Sequence, residues 1–424
     1  MKFLWGVSTS AHQTEGDEKN DWTRWESKNH NRKALYNRFT GRIKRGKENW
    51  KNFKDKIKDP ENYISRKKAY SYKYYKKDIE LANDIGVNSY RFSTEWSRIQ
   101  EAKNSFNQKQ IEHYKKIIDL LDQRNIEPFV TLWHFTNPQW FVDEYGWSHP
   151  ESVEIFTNYV EKMVDELESV NYWITFNEAR GWLVQSYLMQ NWPPANNKRR
   201  NIKKAYNNIL EAHKKSYEII KNSKGNNKVS TSVNIGYIEP YTENIINKKI
   251  CELFKYLEHK KVLEDTNNYR DFISLNHYAH LKVDFLLRNI FNEDQRIRSD
   301  LNWPQSSKSI HQVLKQLYSD YNQPIIITEH GIADKNDNKR RKYLRKSLKN
   351  VEKALNEDID VRGYHHWSLI DNFEWDKGKW PRFGLINLNY ENYERTMRKS
   401  GKIYKKFIEK NKESFDQKLE NLNK

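Results

Sequence analysis

The sequence predicts an α/β fold, a single (β/α)8 TIM barrel with a long insertion after its first strand. Three observations predict it. Short runs of β-branched and aromatic residues alternate with amphipathic helical stretches eight times, which demands parallel strands, right-handed crossovers and a closed ring. Polar side chains gather at the C-terminal ends of those strands, where such a barrel keeps its chemistry. No shift of composition across the 424 residues marks a second domain.

Phe3 to Ser8 is the first strand, and a polar turn holding His12 and Gln13 follows it. About residues 17–65 form the insertion, an irregular excursion whose basic run, Arg42 to Lys47, is expected to be solvated. Lys68 to Ile85 is helical, with Tyr72, Tyr75, Ile79 and Ala82 on one face and Gly86 as its stop. Val87 to Phe92 is the second strand, carrying Arg91 near its end. A helix over Gln108–Arg124 leads to the third strand, Glu127–Trp133, which ends on His134. A helix over His149–Ser169 precedes the fourth strand, Tyr172–Phe176, which ends on Asn177 and Glu178. The second half repeats the rhythm, with helices over Ile202–Asn222, Thr242–Leu263, Ser307–Tyr321 and Arg340–Asn356. Strands over Val229–Ile235, Asp271–Asn276, Pro324–Thr328 and Val361–Ser368 separate them. A last helix over Glu394–Lys410 leaves about residues 411–424 as a charged tail.

Composition narrows the function classes. Aromatics make up 14% of the chain, with 15 Trp and 26 Tyr, far more than a disordered chain carries. The net charge is +18, but Lys and Arg are spread along the chain, which argues against the local footprint of a nucleic-acid binder. Cys251 is the only cysteine, so no intrachain disulfide and no thiolate metal site can form. No apolar run approaches ~20 residues and the opening lacks an apolar leader core, so no membrane partner and a cytoplasmic location are expected. Nothing in the chain indicates an oligomeric state.

Taken alone, Glu178 serves equally well as a solvated strand end. In a barrel, however, it shares one mouth with Gln13, Arg91, His134, Asn276, Tyr278, Glu329 and Trp367. Glu178 and Glu329 follow strands four and seven, on opposing sides of the ring. No Ser–His or Cys–His pair and no glycine-rich phosphate loop competes. The histidines, His277 and His330 among them, lack compact metal-ligand spacing, so no metal and no cofactor are expected. Two carboxylates facing across a polar, Trp-rich pocket suit glycoside hydrolysis, one as acid and then base, the other as nucleophile.

The order of motifs resembles glycoside hydrolase family 1, the retaining β-glucosidase and β-galactosidase family, over nearly the whole chain. FLWGVSTSAHQTEG at Phe3–Gly16 is similar to its opening strand and YRFSTEWSRI at Tyr90–Ile99 to its second, and TLWHFTNPQWF at Thr131–Phe141 resembles the form seen in archaeal and some bacterial members. TFNEA at Thr175–Ala179 resembles the acid/base motif and ITEHG at Ile327–Gly331 the nucleophile motif. GYHHWSLIDNFEWDKG at Gly363–Gly378, with RFGL at Arg382–Leu385, resembles the last strand and sugar loop. The resemblance implies a retaining β-glycosidase that releases a terminal β-D-glucosyl or β-D-galactosyl residue from small glycosides or oligosaccharides. It implies Glu178 as acid/base and Glu329 as nucleophile, steadied by Arg91 and Tyr278. It also implies sugar contacts from Gln13, His134, Asn177, Asn276, Glu374 and Trp375, a stacking floor at Trp367, and Trp303 and Phe383 toward the mouth.

Departures accompany the match. His12 and His277 stand where the family has Tyr, Ala179 where it has Pro, and His330 where it has Asn. The region between strands five and six is short, which leads us to expect an open cleft on the aglycone side. A 6-phospho-β-glycosidase is the nearest alternative, but Glu374, Pro381 and Phe383 occupy the places of its phosphate-gripping Ser, Lys and Tyr, and a carboxylate there repels phosphate. A non-catalytic sugar binder is disfavoured because both glutamates remain.

Overall fold

The computed structural model of the protein describes residues 2–66, 68–195, 199–284 and 297–422, without side-chain detail for 41–48. Eight parallel strands close in sequence order: β1 Leu4–Ser8, β2 Ser89–Ser93, β3 Glu127–Trp133, β4 Tyr172–Asn177, β5 Lys228–Asn234, β6 Ile273–His277, β7 Ile325–His330 and β8 Val361–Trp367. Each strand is almost wholly buried, because helices cover the outside and side chains fill the inside. Leu4, Phe129, Ile174, Phe272 and Ile326 plug the lower interior. Above them the interior turns polar. Ser232 Oγ meets Ser274 Oγ at 2.6 Å, Ser274 Oγ meets Thr328 Oγ1 at 2.7 Å, and Thr328 Oγ1 donates to Asn276 Oδ1 at 2.8 Å. This hydroxyl chain pairs groups that burial would otherwise leave unsatisfied.

The insertion is not irregular. It forms one long helix, α1 (Asp21–Lys58), capped by Asn20, whose side chain accepts from the Thr23 amide while the Thr23 hydroxyl accepts from the Asn20 amide. Half of its buried residues with described side chains are polar: Glu26 accepts from Ser65, Asn37 donates to the Tyr63 hydroxyl, and Asn49 donates to the Ser299 carbonyl. A periodicity of apolar residues therefore had little to report. The backbone of the basic run Arg42 to Lys47 is part of α1, and the side chains of that run lie outside the described residues.

The remaining outer helices are α2 (Ser71–Ile85), α3 (Gln108–Asp122), α4 (Ser152–Glu166), α5 (Ile202–Asn222), α6 (Ile245–Lys255), α7 (Ser309–Tyr321), α8 (Asn338–Asn356) and α9 (Lys399–Leu422). The helix expected from Thr242 is broken into α6, a π turn over Tyr256–Lys260 and a short helix over Lys261–Asp265. The last helix starts at Lys399 because Arg395–Met397 first pairs with Ile386–Leu388. It then runs on to Leu422, so the charged tail is helical almost to its end. Phe415 and Leu419 are buried, and the Phe415 ring lies 4.9 Å from Phe3 and 4.7 Å from Trp5. No helix among the described residues is long and apolar enough to cross a membrane.

Candidate active site

β7 carries Glu329 inside the strand rather than after it. The β6–β7 pairing slips between Ile327 and Glu329, and Glu329 faces Asn276. A slip of this kind re-aims a side chain. The next two residues lock the turn: His330 bonds the hydroxyls of Tyr364 and Tyr343 at 2.9 and 3.0 Å. A Cβ on Gly331 would overlap the Trp367 carbonyl oxygen, so that position admits only glycine.

Both oxygens of Glu329 are engaged. Arg91 Nη1 donates to Oε1 at 2.5 Å and the Tyr278 hydroxyl donates to Oε2 at 2.6 Å. Arg91 is fully buried on β2, and its other guanidinium nitrogens donate to Thr131 Oγ1 and to Asn177 Oδ1 at 2.7 Å. Asn177 Oδ1 also accepts from Asn276 Nδ2 at 3.1 Å. With its oxygen so placed, the Asn177 amide must donate to His134 Nε2, 3.1 Å away. That fixes the tautomer, and burial, with Arg91 adding to it, holds His134 well below the ordinary histidine range and neutral.

Glu178 has the backbone conformation φ 42°, ψ 42°, and Phe135 and Trp375 beside the same pocket also have positive φ, at 75° and 46°. Non-glycine residues in this region are uncommon and gather at functional sites. Asn276 Nδ2 donates to Glu178 Oε1 at 2.7 Å and Asn234 Nδ2 to Oε2 at 3.1 Å. Burial, with the Glu329 charge adding to it, pushes Glu178 up to about 7 against the pull of those two amides. Glu374 is pushed up to about 8, again by burial first.

One pocket of about 260 Å³ joins these groups. Gln13, His134, Asn177, Glu178, Tyr278, Trp303, Glu329, Trp367, Glu374 and Trp375 all line it. Gln13 is held by the Phe373 carbonyl at 2.9 Å and stands 3.4 Å from Glu374 Oε2. Trp375 is sandwiched between His12 and His134, with near-parallel rings 5.3 and 6.0 Å apart, and His134 stacks in turn on Trp367 at 6.0 Å. Three sequence-predicted residues stand elsewhere. Arg91 lies beneath the floor, Asn276 holds Glu178 without lining the pocket, and Phe383 packs behind Tyr278 and Trp303. Asn276 and Phe383 are both corrections to expected substrate contacts: each is buried, Asn276 holding Glu178 and Phe383 shaping the wall, and neither lines the pocket.

Sequence reasoning missed Phe135, Gln185, Trp192, Asn234 and the pair Asp376–Lys377, which also line the pocket. Asn234 ends a strand, the same signal that singled out Glu178. Trp192 and Asp376 offered no such signal; they meet through a 3.2 Å hydrogen bond across 184 residues. The mouth is also less open than expected, because Lys33, Tyr36 and Asn37 of α1 face Leu281, Leu301 and Trp303 across a second cavity of about 430 Å³. No group of three or more His, Cys, Asp or Glu side chains among the described residues is arranged to hold a metal ion.

The chain matches the model of glycosyl hydrolase family 1 over residues 1–266 and 248–413. It is 27% identical to a 1,4-beta-D-glucan glucohydrolase of Thermotoga neapolitana, covering 96% of this chain and 98% of that one. It is 26% identical to beta-glucosidase A of Acetivibrio thermocellus over the same shares. Among solved structures, a beta-glycosidase from Pyrococcus horikoshii superposes with a TM-score of 0.83 at 31% identity, covering 99% of this chain and 96% of that one. A beta-glucosidase from Thermotoga maritima in complex with glucoimidazole superposes with a TM-score of 0.84 at 25% identity, covering 97% and 98%.

Proposed function

The chain belongs to glycosyl hydrolase family 1 and is a retaining β-glycosidase of the β-glucosidase type, and from that premise we propose that Glu329 is its nucleophile and Glu178 its acid/base. One observation carries the assignment: the two carboxylates share a pocket but have opposite surroundings. Glu329 takes an ion pair from Arg91 and a hydrogen bond from Tyr278, which suit an attacking anion. Glu178 is pushed up to about 7, so it can hold a proton near neutrality. Glu329 attacks the anomeric carbon while Glu178 gives its proton to the leaving oxygen. Water then displaces Glu329 from the sugar and returns a proton to Glu178.

Asn177, locked by Arg91 and His134, is placed to bond the sugar 2-hydroxyl, a contact that strengthens in the transition state. Gln13, His134, Glu374 and Trp375 take the remaining hydroxyls over the Trp367 face. Unphosphorylated sugars are the proposed substrates, because Lys377, the cation that lines the pocket among the described residues, pairs with Asp376, which also engages Lys33. Nitrophenyl β-glycosides with and without a 6-phosphate separate the two substrate classes.

Glu329→Gln should abolish turnover. Glu178→Ala should lower the rate on poor leaving groups by about a hundred- to ten-thousandfold, the usual worth of a general acid. Azide should restore part of it and yield the β-glycosyl azide, since azide then attacks the intermediate from the vacated face. An α-azide product, or full activity without Glu329, would overturn the assignment.

A further inference from the structure

Glu178 is held by two amides, and the two holders differ. Asn276 is fully buried, and its own oxygen is fixed by the Thr328 hydroxyl. Asn234, the last residue of β5, is exposed. It stands where three cavities meet: the pocket shared by Glu178 and Glu329, the mouth cavity beside Trp303, and a side cavity of about 280 Å³ walled by Ile238, Phe254 and Leu281. Among the described residues it alone lines all three. Its amide therefore has room to leave Glu178, and it would meet any group bound beyond the scissile bond.

An amide donor on a carboxylate favours the charged form. The first chemical step needs the opposite, a proton held on Glu178, and the second needs the carboxylate. We propose that Asn234 is a positioning residue that switches Glu178 between these states: an aglycone entering the mouth draws the Asn234 amide off Oε2, and its departure lets the amide return. The inference rests on Glu178 being the acid/base. In the first step the glycosidic C–O bond breaks as Glu329 bonds carbon, and the proton on the freed Oε2 passes to the leaving oxygen. In the second, water replaces Glu329 and its proton passes to Glu178, which the loss of the Glu329 charge and the returned amide both keep ionised.

The other groups facing Glu178 have fixed partners. Arg91 and Tyr278 are bound to Glu329, Glu374 lies near Gln13, and Arg180 on the following helix pairs with Glu258. Burial acts on Glu178 in both steps, and the Glu329 charge is lost only once Glu329 bonds carbon, so while the aglycone binds before that step Asn234 is the group whose contact changes.

The test is the pH profile of Asn234→Ala on a nitrophenyl β-glycoside. The alkaline limb of kcat/KM should rise by about half to one pH unit, because the free enzyme loses a donor to the carboxylate. In the parent enzyme, with a glycoside whose first step limits kcat, the alkaline limb of kcat should lie above that of kcat/KM. That gap should close in Asn234→Ala, and Asn234→Gln, which restores an amide, should reopen it. An unmoved or lowered limb, or a uniform loss of rate at every pH, would overturn the switch. Glu178→Gln, measured alongside, should have no alkaline limb. If it keeps one, the acid/base assignment fails, a different failure from that of Asn234.

Discussion

His330 shows how a residue beside the nucleophile can be unusual without being disruptive. It stands where the family resemblance leads one to expect Asn, yet its two ring nitrogens bond the hydroxyls of Tyr364 and Tyr343, and its ring stacks on Tyr343 at 5.0 Å. Burial, with the neighbouring His277 and His366 adding to it, keeps the ring neutral. A shorter side chain cannot reach both hydroxyls. His330→Asn should therefore leave a buried tyrosine hydroxyl unsatisfied and cost about 1–3 kcal/mol of stability in denaturant titrations. kcat should stay within a few-fold of the parent, since Glu329 keeps Arg91 and Tyr278. A loss of kcat without a loss of stability would show that His330 acts on the chemistry instead. His277 is similar, bonded to the Ile235 carbonyl and to Ser309 Oγ, each at 2.7 Å. The catalytic letters were legible in the sequence because their chemistry demands those residue types at strand ends. The partners of the two histidines were not, because they come from elements up to 42 residues away.

Among the elements, the strands were legible and α1 and the end of α9 were not, for one physical reason. A buried strand announces itself by β-branched and aromatic density, whereas α1 buries Glu26, Asn37 and Asn49 through hydrogen bonds and scatters its apolar contacts widely. The shape of the mouth was hidden with it, since α1 supplies one wall. In α9, Phe415 and Leu419 sit among lysines and glutamates that conceal their spacing, and their use depends on Phe3 and Trp5 at the other end of the chain. The Phe3 amide also donates to Asp416 Oδ1 at 2.6 Å. Those last turns close the base of the barrel and lie far from the chemistry in the chain's architecture. Phe415→Ala should cost about 3–5 kcal/mol, the usual loss for a fully buried ring. KM and kcat measured well below the melting transition should not change. A melting midpoint equal to the parent's would show that the helix end does not seal the barrel.

Across the whole molecule, buried titratable groups set how stability depends on pH, and the two main sets oppose each other. Burial pushes Glu15, Asp21, Glu26 and Glu178 up to about 7 and Glu374 up to about 8. In the unfolded chain such carboxyls titrate near ~4. Each therefore binds a proton in the folded state that the unfolded state has lost, and its contribution falls as pH rises from ~4 toward 7 or 8. Burial lowers His12, His113, His259 and His277 to about 4 and His213, His365 and His366 to about 3. There the unfolded state binds the extra proton, so stability rises with pH until the ordinary histidine value of ~6.5 and then levels off. Between pH ~4.5 and ~6.5 the two sets largely offset each other. Below ~4, Glu18 and Asp371, held down by Lys68 and Arg398 against their burial, stay ionised in the folded state while the unfolded chain takes up protons, so their contribution falls with pH, and the net charge of +18 grows. Above ~6.5 the histidines have nothing more to add, and the carboxyls alone remain. The melting midpoint should hold near its maximum around pH 5–6.5 and then drop by several degrees, on the order of a few kcal/mol, by pH 8. Glu374→Gln, uncharged at every pH, should shrink that drop while abolishing tight sugar binding. A midpoint that is flat or rising from pH 6.5 to 8 would mean that these carboxyls are ionised in the folded protein, and Glu178 could not then carry the proton its proposed role requires.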